Sequence, residues 1–223
     1  MNFSHEVFKF DKKVFNFRKL VSDILSLREL EKLHYKFNTD KEIKTIGKDT
    51  HSEAHKLFYN KLNIGWPEFD FIYKKFISEF ILKKLKKEKI LFQRYPNFRV
   101  SSPGNLAVST WHKDSDKNNL HPPGEINFFL PLTECYGNNS LWTESSPGKE
   151  DFSSVDLEFG KVFMFDGNNC LHGNRINDTK ITRISLDFRL LPLEKYDPNF
   201  PHKTRTKNLR FKPGEYYLET KNE

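Results

Sequence analysis

Cysteine is scarce: Cys135 and Cys170 are the only two in 223 residues. That is too few for the disulfide framework of a small secreted domain, and the pair lacks the spacing of a zinc site. No run approaches the roughly 18 apolar residues that a membrane span needs, and the N-terminus has no apolar signal-peptide core. A glycine-rich phosphate loop and a nucleophile elbow are both missing, as are internal repeats and a domain linker. These absences predict a soluble, cytoplasmic protein with no membrane partner.

What is present suits one domain with a substantial core. Aromatic residues make up 15% of the chain, led by 22 Phe, although the mean hydropathy is −0.72. The formal net charge of +7 comes mostly from scattered lysines, which favours solubility first and an anionic partner second. Nucleic acid is not expected as a partner.

Phe17, Leu20, Val21, Ile24 and Leu25 recur at helical spacing, and the pattern predicts a helix running on through Leu30 and Leu33. Ser52 is placed to cap a second helix, and Pro67 to open a third that ends in a lysine cluster over 83–89. His51 and His55 share a helix face, but without the adjacent His-Glu of a zinc-protease helix they read as two solvated histidines. From Leu91 the period changes to short strands at 91–95, 99–101, 106–112, 126–130, 140–142, 161–165 and 183–188, punctuated by Pro, Gly and Asn. The fold class is therefore mostly β with N-terminal helices (α+β), with a sandwich or jelly-roll barrel core. Residues 14–89 are helical support, 90–192 the β core and 193–223 a polar C-terminal extension, all in one domain over 1–223.

Chemistry concentrates in three places. In a strand, His112 and Asp114 of Trp111-His112-Lys113-Asp114 project from one face, as two members of a 2-His-1-carboxylate iron site would. His172 follows the apolar strand 162–165 and the turn 166–169. Arg183 and Ser185 then share one strand face while Ile184, Leu186 and Phe188 face the other. An inward Arg and Ser would be expensive without an anion, and a guanidinium fork matches a carboxylate. Asn177-Asp178-Thr179-Lys180 reads as a hairpin turn that would set His172 and Arg183 on neighbouring strands.

This ordered set, His112-Lys113-Asp114, then His172, then Arg183-Ile184-Ser185, resembles the Fe(II)/2-oxoglutarate-dependent oxygenase superfamily. Within it the chain looks most like the phytanoyl-CoA dioxygenase-like and antibiotic-biosynthesis-type branch, over roughly residues 91–192. The resemblance implies a double-stranded β-helix (jelly-roll) barrel supported by helices. It also implies Fe(II) held by His112, Asp114 and His172, and 2-oxoglutarate bound through Arg183 and Ser185, with O2 as co-reactant. The reaction implied is hydroxylation of a small metabolite with release of succinate and CO2. Related halogenases carry a small residue where Asp114 stands, so the carboxylate favours hydroxylation, desaturation or ring closure. Asn127 is a candidate for the cosubstrate or for a structural role. Arg99, Trp142, Glu144 and Arg189 are candidates for the substrate, with Arg99 equally a partner for surface carboxylates and Arg189 equally one for the iron-site carboxylates; Arg99 leaves an anionic substrate open. His121 is expected exposed or behind the ligands. Two other readings stay open: a non-catalytic metal-binding jelly-roll module that binds a ligand, and a nucleic-acid-directed oxygenase.

Overall fold

The structure, a computed structural model, describes residues 4–37, 52–107, 111–205 and 207–220. Helix α1 (Phe17–Leu25) starts where the Asn16 side chain accepts from the Lys19 N–H and buries Phe17, Val21 and Leu25. It stops at Ser26, whose left-handed φ of 46° turns the chain. The continuous helix through Leu33 is thus corrected: a 3-10 turn (Leu30–Lys32) and a short α2 (Leu33–Phe37) follow separately. Helix α3 (Glu53–Ile64) is capped by Ser52, as the sequence predicts. Pro67 opens α4 (Pro67–Lys75), which continues through a π-helical segment (Phe76–Ile81) into α5 (Leu82–Leu85). Among the described residues no helix is long and apolar enough to cross a membrane.

Ten strands follow in chain order: β1 (Glu6–Lys9), β2 (Ile90–Gln93), β3 (Asn97–Ser101), β4 (Ile126–Pro131), β5 (Leu141–Thr143), β6 (Ser153–Ser154), β7 (Lys161–Phe165), β8 (His172–Asn174), β9 (Arg183–Pro192) and β10 (Tyr217–Glu219). Seven form one antiparallel sheet ordered β1-β7-β4-β9-β2-β10, with β3 also on β9. A second sheet is ordered β6-β5-β8. The expected strand over 106–112 survives as an isolated bridge at His112; residues 108–110 lie outside the described ones.

Strand β9 shows why the two faces of the large sheet differ. Its alternate residues Ile184, Leu186, Phe188 and Leu190 join the helical core with Phe17, Phe58, Phe69 and Phe76. Burying each such aromatic removes on the order of 150–250 Å² from water, and edge-to-face contacts such as Phe17–Phe76 at 5.5 Å order the interface. The opposite parity turns Arg183, Ser185, Asp187 and Arg189 towards the small sheet. Strands β4 and β7 obey the same rule: Ile126, Phe128, Leu130, Val162 and Met164 face the helices. Phe129, Phe163 and Phe165 instead pack with Leu141 of the small sheet. The space between the sheets is therefore apolar at one end and polar at the other.

Two further expectations change. Strand β8 pairs with β5, not with β9, so His172 and Arg183 sit on different sheets rather than on a hairpin. The buried Asn177 side chain instead donates to the carbonyls of Ser101 and Ile181, tying the crossover between sheets. His55 is not solvated but fully buried, with Nδ1 2.6 Å from Ser52 Oγ and Nε2 3.0 Å from the Phe98 carbonyl; His51 lies outside the described residues.

Candidate metal centre

His112 and His172 are brought together by their backbones. The His112 N–H donates to the His172 carbonyl at 2.9 Å and the His172 N–H returns to the His112 carbonyl at 3.0 Å. Directly opposed residues of an antiparallel pair share a face, and the two rings stand 4.5 Å apart. Asp114 is fixed two residues on, its N–H donating to the Gly167 carbonyl at 2.9 Å. One donor atom from each of His112, Asp114 and His172 lies within 4.8 Å of the others, the one such cluster among the described residues.

His172 and Asp114 are in the protonation states a cation needs. His172 Nδ1 is 3.0 Å from the Cys170 carbonyl. A carbonyl only accepts, so Nδ1 carries the proton and Nε2 keeps its lone pair. Burial pushes this imidazole down to about 4, so it is neutral near pH 7. Burial would raise the Asp114 carboxyl, but the Arg189 charge and the His112 contact hold it well below the usual carboxylate range.

Asp114 is gripped from behind. Arg189 Nε donates to Oδ2 at 2.6 Å and Nη2 to Oδ1 at 2.9 Å, a forked pair. Asn127 Nδ2 adds a second bond to Oδ2 at 2.6 Å. Oδ2 is thereby saturated, and Oδ1, 3.5 Å from His112 Nε2, is the oxygen turned to that histidine. Gly167 makes room for this: a Cβ there would sit 2.5 Å from Asn127 Nδ2 and drive the amide off the carboxylate. A Cβ on Gly173 would sit 2.9 Å from the Trp111 ring. Neither cysteine offers chemistry, since both are buried and burial pushes their thiols up to about 12.

The residues singled out in the sequence fall into two groups. Arg99, Asn127 and Arg189 line the cavity beside His112 and His172. Arg183 is 2% exposed, its guanidinium 5.7 Å from the Phe129 ring, further along the same face of β9. The Ser185 hydroxyl donates to Asp187 Oδ1 at 3.2 Å, and Arg99 Nε lies 3.4 Å from Asp187 Oδ2. Trp142 and Glu144 line no part of the cavity. Trp142 lies under the Arg175 guanidinium at 3.6 Å and donates to the Gly137 carbonyl. The Glu144 carboxylate accepts from the N–H groups of Leu171 and Glu150, fastening the turn before His172. In this structure both side chains are engaged in holding the loops around β5.

Sequence reasoning missed Asp187, Asn174, Glu125 and Tyr217. The parity that selects Arg183 and Ser185 also selects Asp187, so that signal was present. Asn174 lines the cavity two residues after His172. Glu125 and Tyr217 come together only through the tertiary fold.

No family model matches the chain. It is 34% identical over 198 residues to the streptomycin biosynthesis protein StrG of Streptomyces griseus, covering 89% of each chain. Among solved structures, AviO1 from Streptomyces viridochromogenes Tue57 superposes with a TM-score of 0.53 at 12% identity, over 87% of this chain and 92% of that one. EctD from S. alaskensis in its apo form gives 0.54 at 13% identity, over 96% and 82%. EctD with bound Fe gives 0.53 at 14%, over 88% and 78%.

Proposed function

The chain belongs to the family of the streptomycin biosynthesis protein StrG, and from that premise we propose that it is an Fe(II)/2-oxoglutarate-dependent dioxygenase of the antibiotic-biosynthesis type that hydroxylates a small metabolite. The two sheets are read as the walls of a jelly-roll barrel whose mouth holds the reacting groups. The observation that carries this reading is the meeting of His112, Asp114 and His172 with donor atoms within 4.8 Å of one another.

The residues fit the ion. A neutral buried imidazole with its lone pair on Nε2, a second imidazole and a carboxylate with one oxygen turned inward form the donor set of a facial iron site with open positions. His112, Asp114 and His172 would hold Fe(II). When bound, the metal would let O2 and 2-oxoglutarate react so that decarboxylation to succinate and CO2 accompanies insertion of one oxygen atom into a substrate C–H bond. The protein's own part is placement. The Arg183 guanidinium would take the distal carboxylate of 2-oxoglutarate as a forked pair, with the Ser185 hydroxyl turning from Asp187 to join it. Asn127 and Arg189 hold Asp114. Phe129, Phe163, Phe165 and Leu141 close the apolar end of the inter-sheet space against water. The substrate would then lie beside Arg99, Asp187 and Asn174.

The test is uncoupled turnover. With Fe(II), O2 and 2-oxoglutarate but no added metabolite, the protein is expected to form succinate slowly, and His172→Ala to form none above the buffer rate. Retention of metal without any succinate would favour a non-catalytic binding module instead.

A further inference from the structure

Behind the metal carboxylate lies a buried charge that the reaction does not use. Glu125 is 1% exposed and precedes β4. One of its oxygens, Oε1, accepts from the Tyr217 hydroxyl. The other, Oε2, lies 2.7 Å from His121 Nδ1 and 3.9 Å from Arg189 Nε. Tyr217 belongs to β10, the edge strand that the chain's end adds beside β2, opposite Gln93. It is fixed there by a cluster of Leu91, Leu191, Phe211 and Tyr216. The expected polar extension thus adds a strand behind the site, and it reaches Asp114 in three contacts: Tyr217 to Glu125, Glu125 to Arg189, Arg189 to Asp114.

A buried carboxylate is expensive to keep ionised, and Glu125 stands where its charge has an effect. Arg189 lies between two carboxylates. If Arg189 faced Asp114 alone, its whole positive charge would pull electron density from the oxygen that a cation must use. With Glu125 on its other side, the guanidinium is shared and Asp114 Oδ1 remains the better donor.

We propose that Glu125, held by Tyr217 of the C-terminal strand, is a positioning residue for the metal site: it shares Arg189 with Asp114 and so sets how strongly Asp114 binds a divalent cation. This rests on the reading of Asp114 as a metal ligand. Groups that orient and tune metal ligands from behind typically change affinity 10- to 100-fold.

The experiment is titration of the purified full chain with Co(II) alone, followed by its visible ligand-field absorption. Glu125→Gln keeps the shape but removes the charge, and is expected to weaken Co(II) binding by about 10-fold or more and to shift the band at saturation. Tyr217→Phe removes one hydrogen bond and is expected to weaken binding by roughly fivefold. Tyr73→Phe is the control: it removes a buried tyrosine hydrogen bond, 2.9 Å to the Gln93 carbonyl, that involves none of Glu125, Arg189 and Asp114, and should leave both affinity and band unchanged. Unaltered affinity and band in Glu125→Gln and Tyr217→Phe, with the unsubstituted chain binding Co(II), overturns the inference and leaves the metal reading standing. Equal weakening in Tyr73→Phe also overturns it, because general loosening would then suffice. If the unsubstituted chain binds Co(II) no better than His112→Ala, the metal reading fails and the inference with it.

Discussion

Arg183→Ala is expected to raise the KM for 2-oxoglutarate about a hundredfold, some 3 kcal/mol, while Fe(II) affinity stays within a few fold. The side chain is buried to 2% and sits on the same face of β9 as Ser185 and Asp187, away from the three candidate ligands in sequence and in sheet. A forked guanidinium–carboxylate contact in such a place gives two charge-assisted hydrogen bonds, and deletion of one partner leaves the other charge to be desolvated without compensation. Arg183→Lys should recover only part of the loss, because an ammonium offers a point charge and no fork. Succinate formation against 2-oxoglutarate concentration measures the effect. An unchanged KM in Arg183→Ala would mean that the distal carboxylate is held elsewhere.

Asp114→Ala has two expected consequences with one cause. Metal affinity falls by more than about 100-fold, since loss of a ligand must exceed the effect of losing a group behind one. The metal-free protein is also destabilised, because the buried Arg189 fork loses both its acceptor oxygens. Breaking a buried pair typically costs about 3–5 kcal/mol, and Glu125 at 3.9 Å lowers this to roughly the bottom of that range. For a chain of this length 3 kcal/mol corresponds to a drop of about 6–12 °C in Tm. Asp114→Asn keeps one acceptor oxygen for Arg189 and should recover part of the stability but little of the metal affinity. Differential scanning calorimetry with and without Co(II) separates the two effects. A metal-free Asp114→Ala chain that melts with the unsubstituted one would contradict the grip assigned to Arg189.

The contrast between β9 and β8 shows how far the sequence could be read. In β9 the first eight of ten residues alternate between polar and apolar, so the burial of Ile184, Leu186 and Phe188 against helices dictates that Arg183, Ser185 and Arg189 face the other way. The alternation carries its own geometry. Strand β8 has three residues, His172, Gly173 and Asn174, too few to show a period. Its pairing with β5 is settled by a crossover that Asn177 ties through side-chain bonds to Ser101 and Ile181. A turn-like sequence cannot by itself distinguish a hairpin from such a crossing. The convergence of His112 with Asp114 was legible from their i, i+2 spacing, although the chain there makes a single bridge rather than a regular strand.

Averages concealed the rest. The extension after residue 192 is polar by composition, yet Phe211, Tyr216 and Tyr217 are buried, and Tyr217 anchors β10 to the large sheet. Glu125 and His121 flank a Pro-Pro-Gly turn, where the sequence leaves His121 either exposed or behind the ligands and says nothing of Glu125. Only the fold shows that this turn delivers a carboxylate behind Asp114. Similarly, the expected helix through Leu33 broke at Ser26, where a left-handed residue, despite its steric cost, lets the last turn be satisfied by bonds to the Asp23 and Ser22 carbonyls.

The most direct test of the account is an anaerobic titration of the Fe(II)-loaded chain with 2-oxoglutarate, followed by visible absorption. A cosubstrate that chelates iron through its 2-oxo and neighbouring carboxylate groups produces a charge-transfer band that neither component has alone. The account predicts that this band saturates at one 2-oxoglutarate per chain, is absent in His172→Ala, and needs far more 2-oxoglutarate in Arg183→Ala. A chain that binds Fe(II) yet develops no band at any 2-oxoglutarate concentration would contradict it.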